Sequence, residues 1–80
     1  MSETARLRWL CRRGMKELDV LLGRFLERGY PQLDAAGRRA FAELLEYQDP
    51  RLYALLTGRE SAADAEVDRV VRRIRDDAGP

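Results

Sequence analysis

Between Asp64 and Asp77 the large apolar side chains are Val67, Val70, Val71 and Ile74, set at i, i+3, i+4 and i+7 among arginines and carboxylates. That spacing collects all four on one stripe of an α-helix, whereas on a strand they would scatter over both faces. A stripe of this kind on an otherwise charged helix must be covered, so the remainder of the chain has to supply matching apolar faces.

It does so in the same period. Met15, Leu18, Leu22 and Phe25 recur at helical spacing, with Leu21 and Leu26 widening the stripe. This predicts a helix that starts after Gly14 and ends at Gly29. Residues 3–12 lack proline and glycine, are rich in helix formers, and have Ser2 or Thr4 available as a cap, which predicts a short first helix. Tyr30-Pro31 is a connection, because the residue before proline is pushed out of the α region. Asp34 is placed to cap a third helix carrying Phe41, Leu44 and Leu45.

Asp49-Pro50 reads as a helix start, the carboxylate accepting free N–H groups and proline occupying a position that needs no donor. Leu52, Leu55 and Leu56 follow, Gly58 supplies a left-handed stop, and Ser61 with Asp64 resembles a capping box for the last helix. That helix is expected to fray from Asp76 into a flexible tail over 76–80, leaving an ordered core of about 4–75. No run alternates apolar and polar residues long enough for a strand, and no repeat is present. The expected fold is all-α, a compact five-helix bundle forming a single domain over 1–80. Its expected core is Trp9, Leu18, Leu22, Phe25, Phe41, Leu44, Leu52, Val67, Val70 and Ile74.

Composition limits the chemistry. Eighty residues with 45% hydrophobic and 36% charged side chains leave little volume for an enclosed substrate cavity. The absence of histidine removes imidazole acid–base catalysis and the common zinc sites, and one cysteine allows no internal disulfide. No phosphate loop, dinucleotide fingerprint or metalloprotease motif occurs, so no catalytic residue, metal or resident cofactor is expected. Apolar runs of a few residues fall far short of the ~20 of a membrane span, giving the expectation of a cytoplasmic protein with no membrane partner. Cys11 has Arg8, Arg12 and Arg13 close in sequence, which would activate an exposed thiol. The competing reading, which we prefer, is a small buried hydrophobe behind Trp9.

Net charge is only +1, yet residues 1–40 hold nine basic and five acidic side chains and residues 41–80 hold six and nine. The row Arg6, Arg8, Arg12, Arg13 and Lys16 is diluted by Glu17 and Asp19, which argues against nucleic acid and for a protein partner. Within it, Arg12-Arg13-Gly14-Met15-Lys16-Glu17 is the most concentrated polar feature. With Gly14 as N-cap, Glu17 becomes the third helical residue and turns back to a free N–H. The alternative is a partner surface, with Arg13 projecting outward as a five-donor fork and Gly14 admitting another backbone. On the last helix, Arg69, Arg72, Arg73 and Arg75 alternate with acids as a solvated, ion-paired face.

Two blocks carry a family resemblance. Residues Trp9 to Asp19, with Arg13, Gly14 and Glu17 as the R-G-x-x-E positions, resemble the signature region of the bacterial succinate dehydrogenase FAD assembly factors. Residues Leu44 to Leu52 resemble that family's second block, an L-L-E segment leading into D-P-x-L. The likeness spans about Arg6 to Ile74. It departs at Gln48, where an acid is common, and at Leu55, where tryptophan is frequent. The resemblance implies a non-catalytic, monomeric assembly chaperone. Its partner would be the flavoprotein subunit of succinate dehydrogenase, and often that of fumarate reductase. It would promote covalent attachment of FAD to a client histidine by chemistry the client performs on its own cofactor. It further implies that Arg13, Gly14 and Glu17 face the client, helped by Arg12, Met15 and Lys16, with Asp49 and Pro50 of the second block beside them. An antitoxin-type regulatory binding role, also attached to members of that family, is the alternative.

Overall fold

The computed structural model describes residues 2–77. Five α-helices are present, α1 (Glu3–Leu10), α2 (Lys16–Arg28), α3 (Ala35–Leu44), α4 (Asp49–Leu56) and α5 (Ala65–Asp77), with a single 3-10 turn at Tyr30–Gln32 between α2 and α3. No strand occurs among the described residues. α5 is the hub: it packs most extensively on α3 and also touches α2 and α4, while α1 leans on α2.

The four α5 residues Val67, Val70, Val71 and Ile74 are all buried, as their spacing requires. Opposite them lie Leu18, Leu22, Phe25 and Leu26 of α2, Phe41 and Leu44 of α3, and Leu52, Leu55 and Leu56 of α4. Phe41 is the aromatic centre, 5.5 Å from the rings of both Phe25 and Tyr30 in tilted geometry, and Arg38 closes the outer side of Tyr30 at 5.2 Å. The rings also explain Gly29, where α2 stops. A Cβ there would overlap the Phe25 ring, so glycine is needed for packing rather than for an unusual φ.

Of the expected core, nine residues are buried and Trp9 is not: it is 71% exposed. The cause is helical phase. Leu7 and Cys11, four apart, are the buried side chains of the first segment, and a residue two positions after Leu7 points roughly 200° away from it. The first helix also closes earlier than expected, with Cys11 as its C-cap.

Three helix starts are displaced from their expected caps. α2 begins after Met15, not Gly14, and α4 begins after Gln48, so that Asp49 is its first residue. At α5 the N–H groups of Glu66 and Val67 donate to Asp64 Oδ1 at 2.9 and 3.0 Å, and Ser61 plays no part in the cap. The Asp34 cap stands as expected, accepting from Gly37 N at 2.8 Å, which holds its carboxyl below the usual range. Gly58 adopts the expected positive φ of 81°. α5 continues through Asp76 and Asp77 instead of fraying there, and the remainder of the expected tail, 78–80, lies outside the described residues.

Gly29→Ala should therefore force the Phe25 ring off its contact with Phe41 and cost about 1–3 kcal/mol, measured by urea unfolding. Phe41→Ala, which empties the centre, should cost about 3–5 kcal/mol in the same assay.

Candidate functional site

The connection between α1 and α2, residues 11–15, contains the most concentrated hydrogen bonding in the molecule, and nearly all of it converges on Arg13. Its backbone N–H donates to Asp19 Oδ1 at 2.6 Å, so a carboxylate one turn into α2 closes the connection from the far side. Its guanidinium turns inward. Nε donates to Asp49 Oδ1 at 2.9 Å, one terminal nitrogen donates to the carbonyls of Leu10 at 3.0 Å and Leu45 at 2.9 Å, and the other donates to the carbonyl of Tyr47.

Each acceptor has a reason to want a cation. Leu10 is the last residue of α1 and Leu45 is the C-cap of α3, so their carbonyls sit at helix C-termini, where partners are missing and the dipole is negative. Asp49 supplies a full charge from the first turn of α4, favourably placed for that helix's dipole. A planar five-donor fork can reach all of these together. The Arg13 side chain is only 13% exposed as a result, and Asp49 is 36% exposed.

The outward projection expected of Arg13 is thus overturned: four of its five guanidinium N–H donors are taken by the fold. Asp49 is not the cap of α4 but the counter-ion of Arg13, while Pro50, next to it, is exposed. Gly14 is not a cap either. It takes φ +84°, with open space where a Cβ would stand, so its glycine identity answers to backbone conformation. Glu17 is the second residue of α2 and exposed, and the backward-reaching carboxylate expected of it is provided by Asp19.

What remains on the outside is a ledge of Arg12, Gly14, Met15, Lys16 and Glu17, all exposed, standing on the Arg13 clamp. Among the described residues, Arg12, Lys16 and Glu17 take part in no ion pair, unlike Arg69 and Arg72 of α5, which pair with Glu66 at 2.8 Å and Asp68 at 3.1 Å. Beside the ledge an open groove of about 410 Å³ runs between α1 and α2, edged by Arg8, Arg12, Gly14 and Gly23. Cys11 lies at its base, 3% exposed. Burial pushes its thiol up to about 11, with Arg13 opposing and Asp19 reinforcing the shift. The buried reading of Cys11 holds, although Trp9 is not what covers it.

The clamp also joins the two sequence blocks. Arg13 meets Leu45, Tyr47 and Asp49 across separations of 32, 34 and 36 residues, which makes the two blocks one structural unit.

The family described as flavinator of succinate dehydrogenase matches residues 5–78. The FAD assembly factor SdhE of Shewanella oneidensis is 45% identical over 80 residues, covering 100% of this chain and 98% of that protein. The FAD assembly factors SdhE of Pseudomonas aeruginosa and Coxiella burnetii are 43% and 40% identical, over 99% and 88% of this chain and 94% and 85% of their own lengths.

Arg13→Lys keeps the charge but cannot serve four spread acceptors, and should lower unfolding free energy by about 1.5–3 kcal/mol in denaturant titration. Cys11 offers a pH test. Folding raises the thiol from 9.0 to about 11, so on alkalisation the unfolded chain loses this proton first. Stability from this group is intact below about pH 9 and declines towards pH 11, and Cys11→Ala should flatten that decline in melts recorded across the window.

Proposed function

Because the chain belongs to the succinate dehydrogenase flavinator family, we propose that it is an assembly factor. It binds the flavoprotein subunit of succinate dehydrogenase, and that of fumarate reductase, and promotes covalent attachment of FAD to a client histidine. The observation that carries the reading is the ledge of Arg12, Gly14, Met15, Lys16 and Glu17, exposed, free of internal ion pairs among the described residues and held from below by a dedicated clamp. The clamp ties down the backbone on which these side chains stand, so less backbone freedom is lost when a partner docks on it.

The flavin and the histidine that bonds to its 8α carbon both belong to the client. This chain contributes position. With no histidine in the sequence and its one thiol buried, it lacks an imidazole or an accessible thiol to place at the reacting atoms. Holding the FAD-loaded client in a reactive geometry is a sufficient role, since orientation alone lowers barriers substantially. Glu17 and Lys16 present opposite charges on adjacent positions of the first turn of α2, Arg12 adds a fork on the preceding loop, and Met15 gives an adaptable apolar contact. Arg13 and Asp49 act through the clamp, and Pro50 sits exposed beside it. The chain works as a monomer in the cytoplasm; no helix among the described residues is long and apolar enough to cross a membrane. Nothing in the site favours the antitoxin alternative.

Purified client incubated with FAD and this protein, then denatured and assayed for protein-bound flavin fluorescence over time, tests the reading. Glu17→Ala should slow flavin attachment at least tenfold while changing unfolding free energy by less than about 0.5 kcal/mol, since the side chain bonds to nothing in the fold. Cys11→Ala should keep the wild-type rate. A folded Cys11→Ala variant that binds client but adds no flavin would sink positioning as the mechanism.

A further inference from the structure

We propose that Trp9 is the anchor of the docking surface, seated on binding in an apolar pocket rimmed by carboxylates on the flavoprotein subunit. This deepens the assembly-factor reading and rests on it.

Trp9 is 71% exposed, against 47% for Val20 and 37% for Met15, the other large exposed hydrophobics. The fold gains little from it. The inner face of α1 is filled by Leu7 and Cys11, and among the described residues Trp9 joins none of the ring or guanidinium stacking that engages Tyr30, Phe41, Tyr47 and Tyr53. A side chain with ~150–250 Å² of surface to bury, left bare on a short helix, is what the centre of a binding interface requires.

Its surroundings select the partner. Trp9 stands between two open hollows. One is largely apolar, about 560 Å³, and bounded by Ser2, Glu3 and Arg6; the other is about 280 Å³ and bounded by Leu10, Arg12 and Arg13. Arg12 also edges the groove beside Gly14, which makes the Trp9 surface continuous with the ledge. Arg6, Arg8 and Arg12 are exposed and form no ion pair among the described residues, so an apolar pocket with an acidic rim is the complement. A second copy would bring the same guanidinium groups against one another. An anionic bilayer would meet a lone aromatic, since α1 has no outward apolar stripe beyond Trp9 to insert.

Trp9 is the only tryptophan, so 5-fluorotryptophan gives this protein a single ¹⁹F resonance. Titration with FAD-loaded flavoprotein subunit should shift and broaden it, and Trp9→Ala should raise Kd about thirtyfold or more with an unchanged melting temperature. If the client binds while the resonance stays put, or if Trp9→Ala binds within twofold of wild type, Trp9 is not the anchor and the assembly-factor reading survives. If the wild-type protein does not bind the client at all, both fall. Movement of the resonance with protein concentration alone would assign the surface to a second copy. Movement with phosphatidylglycerol vesicles but not with client would assign it to a membrane; either overturns the proposal.

Discussion

The Arg13 guanidinium is the interaction on which the rest of this structure hangs. A bundle of five short helices has ten ends, and each end exposes backbone groups with no partner inside its own helix. Arg13 satisfies carbonyls at the C-termini of α1 and α3 and a third carbonyl at Tyr47, and neutralises the first acid of α4. It ties together segments that apolar burial alone would leave hinged. α1 in particular reaches the core through little more than Leu7 and Cys11, so its angle to α2 is set as much by this polar clamp as by packing.

That arrangement divides three neighbouring residues of one motif into three physical roles. Arg13 faces inward and carries the fold, Gly14 provides a backbone conformation that other residues adopt at a cost of about 1–2 kcal/mol, and Glu17 faces outward with no internal duty. Substitutions at the three should therefore separate by kind of effect: stability at the first, loop shape at the second and, on the assembly-factor reading proposed above, partner contact at the third. The second block owes its position to the first. Leu45 and Tyr47 enter through their carbonyls, and their side chains have no part in this contact.

Helix periodicity was legible wherever apolar residues share one phase over two or more turns, as with Leu18, Leu22 and Phe25 or the α5 valines, because burial leaves such a stripe one solution. Local capping was legible at Asp34, where no competing partner exists within the connection. It failed where two polar residues compete and a distant group decides between them. Asp49 looks like a cap until Arg13, 36 residues earlier, takes its carboxylate, and Glu17 looks like the backward-reaching acid until Asp19 proves closer to the Arg13 N–H. Trp9 misled for another reason. Residue type said core, but the phase set by Leu7 and Cys11 placed it outside, and on a helix of eight residues phase outweighs hydrophobicity.

The chain's small size, which favours open surfaces over enclosed cavities, suits it to assembly work. A small bundle spends its apolar residues on one core and has few left over, so an exposed Trp9, Met15 and Val20 stand out against a surface otherwise filled by charge. At the α1–α2 end Arg6, Arg8 and Arg12 form no ion pair among the described residues, while Arg69 and Arg72 of α5 are paired with Asp34, Glu66 and Asp68. Charge asymmetry along the sequence thus becomes a spatial division: an acid-balanced hub helix that holds the bundle, and a basic, partly apolar end whose backbone is tied down by Arg13. On the assembly-factor reading proposed above, such a surface would act on a client by fixing its geometry.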